Sequence, residues 1–399
     1  MRRVYFDHNA TTPVDREVLE AMLPYFSSEF GNPSSIHSPG QQARKAVEHA
    51  REQVAALLGA RAAEITFTSG GTESDNLAIL GIVAADDRPR GSSSLTTGKH
   101  VITTQIEHSA VLQTCRALEA QGVEVTYLPV SAEGIVDPDE VRRALRPETA
   151  LISVMHANNE LGCIQPLEEI GRIAAEADVY FHTDAVQSAG KIPVHVEQLG
   201  ADLLAISAHK FYGPKGVGVL FVRKGTRLKP VLFGGKHGRD HRPGTENVAG
   251  IVGLGKAAEI ALNKLPAEGA RLGALRDRLE KGLLAAIPHA RVNAANAPRT
   301  PNTANFSFSF IEGESLVIAL DLKGLACSTG AACSSGAIEP SHVLTAIGLP
   351  AEQARGSMRF SLGRMNTEDD VDFALAVIPE AVLRLRKLSP LYKESVPAQ

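Results

Sequence analysis

The chain has 399 residues, 44% of them hydrophobic and 22% charged, the balance of a soluble globular protein. A formal net charge of −4 argues against a general nucleic-acid binder, and no basic run suggests a membrane surface. No apolar stretch is long enough to span a bilayer, and MRRVYFDHNATT lacks the apolar centre of a signal peptide, so a cytoplasmic location is expected.

From about residue 60 to 225, short apolar strands alternate with amphipathic helices. EITFTS, HVITT, VEVTYLPV, ALISVMH, VYFHTD and DLLAIS read as strands, with SAVLQTCRALEAQG and LEEIGRIAAEAD as helices between them. This alternation predicts an α/β fold: a large domain, residues 15–260, with a mostly parallel sheet flanked by helices. Residues 86–98, DDRPRGSSSLTTG, read as a surface loop. A long helical pattern starts near Ile251 and is expected to break at Pro266 before ending near Ala286. Beyond it, TANFSFSF, ESLVIALD and MRFSL give an α+β pattern, closed by a helix from about Thr367 to Leu388. Residues 1–14 and 261–399 are expected to form a smaller α+β domain.

Ligands bind at the carboxyl ends of strands in open α/β sheets, so the residues after each strand carry information. After EITFTS come Gly70, Gly71 and Thr72, small residues opening a helix whose free N–H groups suit a phosphate. After HVITT comes His108; after ALISVMH, Asn159; after VYFHT, Asp184 and then Gln187. After DLLAI come Ser207, Ala208, His209 and Lys210. Each alone reads equally well as a cap or turn residue; five together are hard to explain as capping. A lysine for an aldehyde, a carboxylate for a ring nitrogen, a phosphate cup and a planar group are what pyridoxal 5'-phosphate requires. Asp184 would keep the ring nitrogen protonated and Lys210 would take the aldehyde. His108 would stack on the ring, and Asn159 and Gln187 would bond its hydroxyl.

The four cysteines, Cys115, Cys163, Cys327 and Cys333, form no C-x-x-C pair and read as reduced thiols. Cys115 fits a helix core, and Cys327 the end of a strand. Cys333 lies in a run, Ser328 to Gly336, without a large anchoring side chain, where a loop thiol and a nucleophile are equally good readings. No metal centre is expected, because the Cys and His spacings are poor for zinc.

The ordered motifs FDHNATTPVD, FGNPSSIHSPG, FTSGGTESDNLAI, EHSAVL, HANNELG, FHTDAVQSAGK, SAHKFYGPKG, RPGTEN, PNTANFSF, ACSTGAACSSGAIEPSHVL and MRFSLGR resemble cysteine desulfurases of the NifS/IscS type, within the class V aminotransferases. The resemblance covers nearly the whole chain. It implies the fold type I architecture of pyridoxal-phosphate-dependent transferases and a homodimer with sites near the subunit interface. It implies conversion of L-cysteine to L-alanine, with the sulfur held as a persulfide on Cys333 and passed to an iron–sulfur scaffold or another acceptor protein. Gly71, Thr72, Ser207 and His209 join the expected cofactor contacts. Arg359 and Asn159 are expected to hold the substrate carboxylate, and Thr245 to reach the cofactor phosphate of the other subunit. Lys236, Gly238, Thr329 and Ala331 depart from the family's common residues. The nearest rival is another class V enzyme (a transaminase, β-lyase or selenocysteine lyase). A more distant one is a non-catalytic scaffold binding a cluster or metal.

Overall fold

A computed structural model describes residues 2–85, 99–235, 241–329, 340–390 and 392. Cys333, Lys236, Gly238, Ala331 and the segment 86–98 lie outside the described residues.

Twelve strands are described: β1 (Val4–Tyr5), β2 (Ile65–Thr68), β3 (His100–Thr104), β4 (Glu124–Leu128), β5 (Thr149–Ser153), β6 (Tyr180–Asp184), β7 (Leu203–Ser207), β8 (Gly218–Val222), β9 (Ala290–Val292), β10 (Thr303–Phe308), β11 (Leu325–Ala326) and β12 (Ser357–Ser361). Seven form one sheet in the order β2-β8-β7-β6-β5-β3-β4, and β8 alone runs antiparallel to its neighbours. A three-stranded sheet, β12-β10-β9, and the parallel pair β1-β11 lie apart from it in the ordering. The helices are α1 (Arg16–Met22), α2 (Ser38–Leu58), α3 (Gly71–Ala85), α4 (Ser109–Glu119), α5 (Pro138–Ala144), α6 (Leu167–Glu176), α7 (Val196–Leu199), α8 (Val248–Ala286), α9 (Gly313–Asp321), α10 (His342–Ala346), α11 (Ala351–Arg355) and α12 (Glu368–Leu388).

The period of two along each central strand sends alternate side chains to two separate cores. Ile102, Ile152, Leu204 and Phe221 join Val47 and Val54 of α2, Ile170 of α6 and Ile251 of α8 on one face. Their neighbours Val101, Leu151, Leu203 and Leu220 join Leu77 and Ile82 of α3 and Val111 of α4 on the other. Both faces are therefore dry, which is why these strands read as continuous apolar runs. A further core gathers Val4 and Phe6 with Phe306, Phe308, Phe360 and, from α12, Val371 and Ile378. Helix α8 serves two cores: Ile251 to Ala261 face the large sheet, and Leu272 to Leu283 face the small one.

The expected break at Pro266 does not occur; α8 continues through it. Pro266 is exposed, as are residues 262–264, so the Leu262 carbonyl that proline cannot serve lies in a stretch open to solvent. Within the expected α+β pattern, ESLVIALD is helix α9.

One polar tie crosses the sheet. His100, at the start of β3, bonds Thr149 Oγ1 of β5 through Nδ1 and Thr126 Oγ1 of β4 through Nε2, both at 2.8 Å. A neutral imidazole, with one donor and one acceptor, suits two hydroxyls. Burial, with Arg146 adding to it, lowers the His100 pKa to about 4. The folded value lies below the unfolded one. The stabilisation is therefore complete above about pH 6.5 and is lost as pH falls through about 4. The stability gap between wild type and His100→Leu is expected to narrow as pH is lowered from 7 to 5, as read by urea midpoints. A gap independent of pH would contradict this origin.

Candidate active site

The carboxyl ends of five strands meet at one edge of the large sheet. There they enclose a cavity of about 360 Å³ lined by Gly71, Thr72, His108, Asn159, Asp184, Gln187, Ser207, His209, Lys210 and Arg359, among others. Ten of the residues singled out in the sequence thus come together. Gly71 opens α3 and lines the cavity, and a Cβ on Gly71 would come within 2.7 Å of Val186 Cγ2. Gly218 at the start of β8 permits this turn: a Cβ there would meet Gly70 Cα at 2.6 Å and Ile206 O at 2.7 Å.

Lys210 ends a short 3₁₀ turn, Ala208–Lys210, directly after β7. Its Nζ donates to the backbone carbonyls of Asn9 at 2.7 Å and Ala10 at 2.9 Å. His108 caps α4, its Nδ1 accepting from the Ala110 N–H at 3.1 Å, so the imidazole plane is held at the helix start. Asp184 ends β6, 5% exposed; its Oδ1 accepts from the Val186 N–H at 2.9 Å. Burial raises its pKa, opposed by His108 and Lys210. His209 bonds Thr11 Oγ1 at 3.1 Å, and burial with three nearby lysines lowers its pKa to about 4, so it is neutral.

Arg359 comes from β12 of the small sheet. It is 3% exposed, with Nη2 on Asp7 Oδ1 at 2.7 Å and Nη1 on the Asn159 carbonyl at 3.1 Å. Its Nε has no partner. An arginine turned into a cavity with a donor unused is suited to a carboxylate.

Thr245 does not line this cavity. It lines a separate one of about 110 Å³ with Arg51, Thr68, Ser69 and Arg242. Arg242 Nε is bonded to Glu73 Oε1 at 2.9 Å.

The residue that sequence reasoning missed is Asn9. Its carbonyl accepts from Lys210 Nζ and from Gln187 Nε2 at 2.9 Å. Its Oδ1 accepts from Lys191 Nζ at 2.9 Å and Asn302 Nδ2 at 3.0 Å. Its Nδ2 donates to Thr303 Oγ1 at 2.9 Å and the Asn159 carbonyl at 3.2 Å. Its N–H donates to Ser361 Oγ at 2.9 Å. Lys191, also missed, donates its second bond to Gln187 Oε1 at 2.6 Å. Burial, with Lys210 and Arg359 nearby, puts its pKa well below the usual lysine range. Asp75 and Met155 complete the wall.

Cys115 and Cys163 are buried and their thiols are pushed up to about 12; burial pushes Cys327 up as well. None of the three is a thiolate at neutral pH.

The donor set fits pyridoxal 5'-phosphate. The α3 start, made of Gly71 and Thr72, is a cradle that a Cβ would obstruct, with Ser207 and His209 also on the wall. A buried carboxylate and a lysine share the same wall.

The aminotransferase class-V family matches residues 4–373. The chain is 52% identical over 393 residues to the cysteine desulfurase IscS of Dictyoglomus turgidum, covering 98% of each. It is 54% identical over 390 residues to the cysteine desulfurase IscS of Methanosarcina thermophila, covering 98% of this chain and 94% of that one. Among solved structures, a NifS-like protein superposes with a TM-score of 0.87 at 40% identity, over 96% of this chain and all of that one. SspA in complex with cysteine superposes at 0.78 and 40% identity, over 90% and 98%.

Lys191→Met would leave the buried Gln187 Oε1 without its partner, a cost of about 1–3 kcal/mol. Affinity for pyridoxal phosphate is expected to fall about 5- to 100-fold, measured by fluorescence titration of the apoprotein. An unchanged affinity would show that Lys191 does not hold Gln187 in place for the cofactor.

Proposed function

The chain belongs to the aminotransferase class-V family, and from that membership and the cavity we infer that it is a pyridoxal-phosphate-dependent cysteine desulfurase. The observation that carries the reading is one cavity holding Lys210, Asp184, His108 and Arg359, in a chain about half identical to cysteine desulfurases over nearly its full length. The large cofactor-binding unit is residues 15–260; residues 1–14 and 261–399 form the smaller unit.

The cofactor supplies an aldehyde for an amine and a ring that withdraws electrons from the substrate Cα. Lys210 is the lysine on the cavity wall and holds that aldehyde. Asp184 stays anionic and keeps the ring nitrogen protonated. Gly71, Thr72, Ser207 and His209 hold the phosphate, and Asn159 and Gln187 the ring hydroxyl. Arg359 grips the carboxylate of L-cysteine with Asn159 beside it, which sets the Cα proton towards Lys210. The Lys210 amine takes that proton, and His108 manages a proton at the substrate sulfur.

Cys333 then removes the sulfur. Its thiolate attacks the substrate sulfur, the carbon–sulfur bond breaks, the carbon fragment gains a proton and leaves as L-alanine, and Cys333 keeps one added sulfur as a persulfide. Sulfur moves from substrate to enzyme with no external oxidant. Three buried, protonated thiols at Cys115, Cys163 and Cys327 support Cys333 as the nucleophile. The persulfide is passed to an iron–sulfur scaffold or another acceptor protein in the cytoplasm.

The working unit is a homodimer. Phe26, Phe30, Ile36 and Phe233 are 66%, 76%, 93% and 90% exposed, large apolar side chains that a partner subunit would cover. Thr245, which does not line its own chain's cavity, serves the phosphate of the partner.

Three experiments test this reading. Cys333→Ala is expected to bind L-cysteine and perturb the cofactor absorbance, yet to release no alanine at the normal rate. Mass spectrometry of the cysteine-treated wild type, without reductant, is expected to find one added sulfur on Cys333. Sulfur on Cys115, Cys163 or Cys327 would overturn the nucleophile. Asp184→Asn is expected to retain cofactor but lose at least about 100-fold in turnover, the scale of one lost electrostatic contact in a transition state. Full turnover would contradict the role of Asp184.

A further inference from the structure

In and behind the cavity wall lies a group of buried ionisable side chains that the mechanism leaves unused. Asp75 on α3 is 1% exposed, Glu107 after β3 is fully buried, and both share their surroundings with Asp184. His182, two residues before Asp184 on β6, is fully buried as well. Three carboxylates cannot all ionise in one dry region, because each charge raises the cost of the next.

The surroundings of each acid decide where the charge goes. His182 Nδ1 lies 2.8 Å from Ser153 Oγ. His182 Nε2 faces Asp75 Oδ1 at 3.5 Å, and neither of these two atoms has a hydrogen-bond partner. The pair fits two arrangements, an ionised Asp75 accepting from Nε2–H with Ser153 donating to Nδ1, or a protonated Asp75 donating to Nε2 with Nδ1–H donating to Ser153; only the second adds no further charge to the cavity wall that Asp75 shares with Asp184. Glu107 is a poorer home for the charge than Asp184: its Oε1 accepts from Thr104 Oγ1 and the Met155 N–H, but its Oε2 has no partner. Only Asp184 is opposed by positive groups, His108 and Lys210.

We propose that Asp75 is a neutral carboxylic acid that donates its hydrogen to Nε2 of His182, so that Asp184 alone carries the negative charge facing the cavity. Asp75, His182 and Ser153 form a positioning chain. It runs across α3, β6 and β5, and it holds the carboxylate wall at a single net charge. The pKa directions agree: burial and the charges of Asp184 and Glu107 raise Asp75 well above the carboxylate range, burial raises Glu107 to about 8, and burial lowers His182 to about 3. The consequence for chemistry rests on the reading that Asp184 meets the ring nitrogen. An ionised Asp75 would compete with Asp184 for that proton.

The test uses the holoenzyme at neutral pH. Isotopic labelling of the aspartate carboxyls in the unmutated enzyme is expected to shift one protonated-carboxyl infrared band, and Asp75→Asn is expected to abolish that band. The near-visible absorbance of the cofactor and its dependence on pH are expected to stay in place in Asp75→Asn, because the amide also donates to His182. Asp184→Asn is expected to keep the band and move the absorbance. Absence of an aspartate-derived band, or its loss in Asp184→Asn, would overturn the proposal. So would an absorbance shift in Asp75→Asn matching that of Asp184→Asn. Should Asp75→Asn fail to fold, the labelled wild type and Asp184→Asn still decide. If Asp184→Asn keeps both band and absorbance, the proton on Asp75 stands, and the ring-nitrogen role of Asp184 is what fails.

Discussion

The backbone carbonyl of Asn9 accepting a hydrogen bond from Lys210 Nζ is the contact on which the site depends. Asn9 stands in the N-terminal segment, just after Asp7 bridges to Ser361 of the small sheet. Lys210, Gln187 and Lys191 belong to the large sheet's edge; Asn302, Thr303 and Ser361 belong to the small sheet and its approach. One residue with all its polar atoms engaged therefore fixes the lysine relative to Arg359, which comes from β12. A residue so fully bonded in a dry region resists rotation, because any other pose strands several groups at about 1–3 kcal/mol each. The distance between the Lys210 amine and the Arg359 guanidinium is thus set by the N-terminal segment, not by either sheet alone.

The same dry region restricts charge. His8, His156 and His209 are lowered to about 4, mainly by burial, so they contribute shape and hydrogen bonds without charge. Lys191 is depressed for the same reason, and the charge of Lys210 adds to it. Arg359 pairs with Asp7 at 2.7 Å. The site is thus left with few full charges. A low-dielectric setting makes those few count for more than they would in water.

How much of this was legible in the sequence depended on distance along the chain. The strand-end residues were readable because sheet topology brings successive strand ends together, and each follows its own strand closely. Asn9 was not, because its partners lie about 150 to 350 residues away and three of its seven bonds, the one to Lys210 among them, run through the backbone, which has no side-chain signature. Asp75 had a weak signal: an acid on the buried face of α3, ahead of the apolar run LAILGIVAA. The break expected at Pro266 followed from proline's missing N–H, but the carbonyl it cannot serve lies in a stretch open to solvent. ESLVIALD is apolar enough to suit either a strand or a helix; it became α9 because Leu316 and Leu320, four residues apart, both reach the small core.

Two lysines touch Asn9, and they separate the account from its alternative most directly. Lys210 lines the 360 Å³ cavity, whereas Lys191 lines only a neighbouring space of about 20 Å³. Borohydride reduction of the holoenzyme followed by peptide mapping identifies the lysine that carries the cofactor. The account predicts the label on Lys210 and none on Lys191; a label on Lys191, or on any other lysine, would contradict it.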